Sequence, residues 1–169
     1  MKNFSYAGAA VILCSAVGLS LLAWTQAHSQ ENKIVTNHAS GPFEVKITPQ
    51  KPDNKEAETA NFARMSGEKQ YHGDLEATAK VEMLSTGDPK TSAVYVALER
   101  VTGTLKGRSG SFVLHHTGIM TRGAPHLSIE VVPDSGTDQL AGLTGKMTIN
   151  IAAGGKHSYA FEYTLPEAQ

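Results

Sequence analysis

The chain has 169 residues, enough for one ordinary domain. Charged residues make up 18% of it and the formal net charge is −1, which excludes the basic footprint of a nucleic-acid binder and the composition of a disordered chain. Sixteen glycines and seven prolines imply many turns and point to an all-β architecture.

Residues 1–29 read as a secretory signal peptide. "MKNFSY" carries one lysine, "AGAAVILCSAVGLSLLAW" is an apolar run, and "TQAHSQ" turns small and polar. That is the n-, h- and c-region order of an export signal, with cleavage expected after Ala27 or Ser29. The alternative is an uncleaved anchor, since about 18 apolar residues is near the minimum for a span. The only cysteine, Cys14, lies inside this segment. The mature chain is therefore expected to have no disulfide, thiol catalyst or cysteine metal site. The expected location is periplasmic or secreted, with no membrane association after cleavage.

Residues 30–42 are polar and irregular and read as a tether, leaving 43–166 as the domain. "FEVKIT" alternates Phe43, Val45 and Ile47 with Glu44, Lys46 and Thr48, the pattern of a half-buried strand. "PQKPDNKEAE" breaks it and reads as a solvated loop. Further strands are expected at Asn61–Tyr71, Leu75–Leu84, Ser92–Leu105, Ser111–Thr121, His126–Val132, Lys146–Ala152 and Ser158–Leu165. The separators, such as "HGD", "STGDPKT", "KGRSG" and "AGGK", are turn-formers. Eight sequential strands with short turns favour an eight-stranded antiparallel up-and-down barrel, because closure removes exposed edges. A two-sheet sandwich is the second choice.

A phrase of the form L-x-G-x-[ST]-G occurs twice, as "LKGRSGSF" and "LAGLTGKM". A phosphate cradle would need a placed lysine and a helix behind the loop. A β-rich segment follows instead, so turn and bulge chemistry explains the glycines. His115 and His116 are adjacent on a strand and point to opposite faces, so they do not chelate one ion together. Asp134 and Asp138 lack the further oxygen ligands of a calcium loop. No metal and no cofactor is expected.

Three carboxylates, one tyrosine and one histidine are the candidates for a pocket. Glu76 and Glu82 share a face with Thr78, opposite Leu75, Ala77, Ala79, Val81 and Met83; solvent exposure is the simple reading for both. Glu99 shares its face with Tyr95, Ala97 and Val101, and a glutamate in that company is either buried with a partner or lines a cavity. Loop parity bears on the partner. An even loop after the Glu99 strand puts Glu99 with His116, and an odd loop puts it with His115. The even loop also groups Phe112 and Leu114 with Tyr95 and Val101, and is preferred. A Glu–His pair inside a barrel can do acid–base work or serve as a satisfied buried hydrogen bond.

"YHGDLEATAKVEML", "VALERVTGTLKGRSGSFVLHHTG" and "VVPDSGTDQLAGLTGKM" together resemble the bacterial family called domain of unknown function 3224, from about Phe43 to Leu165. The resemblance implies an eight-stranded barrel similar to allene oxide cyclase, and no established activity. The family's L-E-R-V falls on Leu98 to Val101, its G-[DE]-[IL]-E on Gly73 to Glu76, and its G-S-F-x-L-x-H on Gly110 to His116, so that His116 occupies the family's histidine. Departures are Ala77, Asp134 and Asp138, where the family has glycine.

Three functions are ranked. The first is an exported barrel that binds a small, partly apolar ligand, since an eight-stranded barrel can hold one. The second is a cyclase- or isomerase-type enzyme using an interior Glu99–His116 pair, supported by fold analogy alone. The third is a packed structural barrel without a site. Homo-oligomer formation is compatible with each. The pocket candidates are Glu99, His116, Tyr95, Glu76 and Glu82.

Overall fold

The computed structural model describes residues 35–60 and 62–166. The expected signal segment and its expected cleavage points lie outside them. No helix of the described residues is long and apolar enough to cross a membrane.

Eight strands form one closed antiparallel barrel in sequence order: β1 Asn37–Gln50, β2 Ala63–Tyr71, β3 Leu75–Gly87, β4 Ala93–Leu105, β5 Arg108–Thr121, β6 Ala124–Val131, β7 Thr144–Ile151 and β8 His157–Thr164. Strand β1 closes the barrel by pairing with both β2 and β8. Strict alternation sorts the side chains. On β3, for example, Leu75, Ala77, Ala79 and Val81 are buried, and Glu76, Thr78, Lys80 and Glu82 are exposed. Period-two burial is what a single wall with a packed interior demands.

Two expectations are corrected. The tether at residues 30–42 gives way to strand at Asn37, six residues before Phe43. Backbone pairing with β8, from Asn37↔Tyr163 to Phe43↔His157, builds this part of β1, and only Ala39 of "NHASGP" is buried. The charged loop holds a short helix, α1 Lys55–Thr59, whose first turn is capped by the Asn54 side chain accepting from the Ala57 amide at 2.8 Å.

The two ends of the barrel differ. At one end the β6–β7 connection folds under the lumen as a plug. It contains one turn of 3-10 helix at Asp138–Leu140, and it inserts Leu140 and Leu143, which are 1% and 0% exposed. They pack with Leu75, Leu105, Phe112 and Phe161. The connection also satisfies the free edge of β5, which pairs with β6 only from Leu114 onward. Thr137 N donates to Ser111 O at 2.9 Å, Ser111 N to Thr137 Oγ1 at 3.0 Å, and Ser109 N to Gln139 Oε1 at 2.8 Å. Here the twin glycine phrases are resolved. Gly107 and Gly142 take positive φ in the turns. Gly110 and Gly145 lie within strands, where a Cβ would overlap the carbonyl oxygens of Thr137 and Glu162. Asp134 and Asp138 both take positive φ, a conformation aspartate tolerates better than most residues.

The opposite end is open. The β6–β7 seam is the thinnest in the barrel: its single register pair, Glu130↔Lys146, joined by an ion pair of 3.2 Å, lies next to the plug, and the two strands share no register pair towards the open end.

Candidate functional site

The turn joining β4 to β5 is the two-residue Lys106–Gly107, with Leu105 paired to Arg108. The even loop therefore holds. Ala97 pairs with His116 and Glu99 with Leu114, so Glu99 and His116 face the lumen together. Glu99 is 0% exposed and His116 5%.

Two residues of β2 complete this cluster. Lys69 Nζ donates to Glu99 Oε2 at 2.6 Å, and the Tyr71 hydroxyl donates to Glu99 Oε1 at 2.7 Å. Lys69 Nζ also donates to the Tyr71 oxygen at 3.2 Å and lies 5.2 Å from the centre of the Phe43 ring. His116 Nε2 stands 3.0 Å from Glu99 Oε2, but its N–H is not directed along that line. It is the one buried side-chain polar atom of the described residues without a hydrogen-bond partner. The contact is thus a close approach of imidazole to carboxylate, not a formed hydrogen bond.

The electrostatics follow from this packing. Burial alone would push the Glu99 carboxyl up. The His116 imidazole, the Lys69 charge and the donors of Lys69 and Tyr71 outweigh burial and hold the group below the usual carboxylate range, as expected when several donors converge on one anion. Tyr71 is pushed far up by burial, then by the charge and hydrogen bond of Glu99, and stays a neutral phenol.

Tyr95 lies on the same face as Glu99, two inward positions nearer the open end. Its ring rests on Gly118, with which it is paired. A Cβ at Gly118 would fall 2.7 Å from Tyr95 Cζ, so the glycine makes the room. Beyond the ring is a cavity of about 360 Å³, lined on its inner wall by Met65, Ser85, Tyr95, Met120 and Leu127. Tyr95 is the innermost β4 residue of the lining and so sits at its floor, and Glu99 and His116 are not among the lining residues. The Tyr95 phenol is shifted up by burial and then by the Glu99 charge.

Glu76 and Glu82 do not join the interior cluster around Glu99, but Glu82 lines a second pocket with Asp53, Arg64, His115 and His116. Both point outward, with side chains 57% and 63% exposed. Glu76 accepts from Gly73 N at 2.7 Å and approaches His72, while Glu82 meets Arg64 at 3.5 Å. They lie on the even-numbered face of β3, which the barrel turns to solvent. Lys69 and Tyr71 are the members that sequence reasoning missed. The signal was present in "ARMSGEKQY", where Met65, Gly67, Lys69 and Tyr71 share one face, as Glu99 shares its face with Tyr95 and Val101.

The model of the family "Protein of unknown function (DUF3224)" matches residues 39–163. The chain is similar to a solved structure, described as a protein with unknown function from the DUF3224 family of Shewanella oneidensis MR-1, at 43% identity and a TM-score of 0.70. That match covers 79% of this chain and 100% of the other. No curated protein matches. With its barrel, its L-E-R-V and its G-S-F-x-L-x-H all within the matched span, the chain belongs to the DUF3224 family.

Proposed function

We propose that this protein is exported and binds a small, partly apolar molecule in the open mouth of its barrel. The observation that carries the reading is the cavity of about 360 Å³ above Tyr95, within the range of about 300–1,000 Å³ typical of ligand sites. It has an apolar wall and few polar atoms, as such sites do. The lower half of the barrel is packed solid by Leu140, Leu143, Phe112 and Phe161, so the hollow at the other end is a local departure from close packing. The Lys69–Glu99–Tyr71 group below it has its own internal partners and works as a structural belt. A cyclase or isomerase has less support. Glu99 is depressed into its ionised form, both its oxygens accept hydrogen bonds, and it is not among the residues lining the mouth.

Export is proposed from the leader pattern at 1–29 and the cysteine-free remainder. Native mass spectrometry of protein released from the cell envelope tests both parts. The chain should lack about 27 or 29 residues, and should take up the neutral dye Nile red at one site per barrel. Met120→Arg should abolish that uptake. A full-length chain retained in the membrane rejects cleavage, and dye binding that survives Met120→Arg rejects the mouth.

A further inference from the structure

Among the described residues, no carboxylate, ammonium or guanidinium group bounds the mouth cavity. The titratable groups around it are the Tyr95 phenol and, on the exposed rim, His126. Methionines, proline, leucine, alanine and glycine make up most of the rest. A ligand entering it therefore leaves water for a site that offers no counter-charge, and an unpaired ion pays heavily for that transfer.

The groups beneath the floor reinforce the exclusion. An anion would approach Glu99, whose charge is already felt at Tyr95. A cation would look to Glu99 for a partner and find one oxygen taken by Tyr71 and the other by Lys69. Neither sign of charge is served.

Tyr95 supplies one directional contact. Tyr95 lines the cavity, and among the described residues its hydroxyl makes no hydrogen bond; burial and the Glu99 charge shift the phenol up. The phenol stays protonated and carries a proton that needs an acceptor. The ring is fixed against Gly118, so the position of the hydroxyl is set by packing.

We infer that the mouth selects uncharged hydrophobic molecules bearing a carbonyl-type acceptor at their inner end, and that Tyr95 is the residue that reads the acceptor. The inference rests on the mouth being the ligand site and adds the class of ligand to that reading.

Four naphthalenes of similar shape test it against the mature protein by isothermal titration calorimetry: 2-acetylnaphthalene, 2-ethylnaphthalene, 2-naphthoate and the 2-naphthylmethylammonium ion. The ketone should bind about fivefold more tightly than the ethyl compound, the worth of one net hydrogen bond. Both ions should bind at least about tenfold more weakly than the ketone, given the cost of an unpaired buried charge. In Tyr95→Phe the ketone and ethyl compounds should become equal, with the thermal midpoint unchanged, while Ser85→Ala should keep the preference. An ion that binds as tightly as the ketone overturns the neutral class. A preference that survives Tyr95→Phe, or disappears in Ser85→Ala, overturns the assignment to Tyr95. Failure of all four compounds overturns the mouth as a ligand site, and this inference with it.

Discussion

Replacing Glu99 by glutamine should be among the most damaging single changes in the barrel wall. The carboxylate is 0% exposed and the Lys69 side chain 7%. In the variant, Lys69 keeps the Tyr71 oxygen at 3.2 Å and the Phe43 ring at 5.2 Å, but no negative charge. The amide NH₂ must also face either Lys69 or the Tyr71 hydroxyl, donor against donor. Breaking a buried pair by removing one partner costs about 3–5 kcal/mol, on the order of a 10 °C fall in Tm for a domain of this size. Urea unfolding followed by far-UV circular dichroism measures it. Adding Lys69→Met to Glu99→Gln removes the stranded charge and should recover at least half of the loss, because apolar replacement of a whole buried pair is often neutral. A pH series separates electrostatics from shape. The folded carboxyl lies below its usual value of 4.5, so its contribution is present above that pH and is lost as pH falls through the folded pKa. The stability difference between wild type and Glu99→Gln should therefore shrink with acid. A loss below about 1 kcal/mol, far under the range expected for a broken buried pair, or a double variant no better than the single, refutes the argument.

Tyr71→Phe removes a donor to Glu99 and an acceptor for Lys69, and should cost about 1–3 kcal/mol by the same unfolding assay. Gly118→Ala places a methyl group in the Tyr95 ring; it should destabilise by about 1–3 kcal/mol, and Gly118→Ala with Tyr95→Leu should recover most of that. Gly110→Val drives a side chain into the Thr137 carbonyl and should lower the thermal midpoint by loosening the plug from β5, with hydrogen exchange rising first at Ser109 and Ser111. Unchanged exchange at those amides would mean that the plug is held elsewhere.

The barrel and half of its polar cluster were legible because both depend on parity. Once the β4–β5 turn is an even loop, every inward residue of the two strands is fixed, Glu99 and His116 included. Lys69 was hidden by its own strand. The inward face of β2 is Met65, Gly67, Lys69, Tyr71 and the outward face Arg64, Ser66, Glu68, Gln70. With a lysine on one side and serine on the other, neither face declares itself core. The start of β1 was hidden for a related reason. "NHASGP" earns its strand from main-chain pairing with β8, which leaves no mark in side-chain hydrophobicity. The close approach of His116 to Glu99 without a formed hydrogen bond lies below anything periodicity can express, since it depends on the angle of one ring.

The belt also bears on why a barrel would keep a lysine, a glutamate and a histidine in its interior. Such a group is weak evidence for net stability, because apolar residues of similar volume would serve as well. Its members come from β2, β4 and β5, however, and the Lys69–Glu99 contact passes over β3 between non-adjacent strands. A slip of β2 by one residue would turn Lys69 to solvent and bring Glu68 or Gln70 inward beside Glu99. An uncompensated carboxylate or a mismatched amide would then sit in the lumen. Aliphatic residues at these positions would penalise that slip much less, because several outward residues of neighbouring strands, such as Leu84, Val96 and Leu98, are themselves apolar. With apolar side chains on both faces of β3 and β4, hydrophobic patterning alone discriminates poorly between registers. The charged cluster supplies the missing discrimination, placing its one correct pairing just below the floor on which Tyr95 and the open cavity depend.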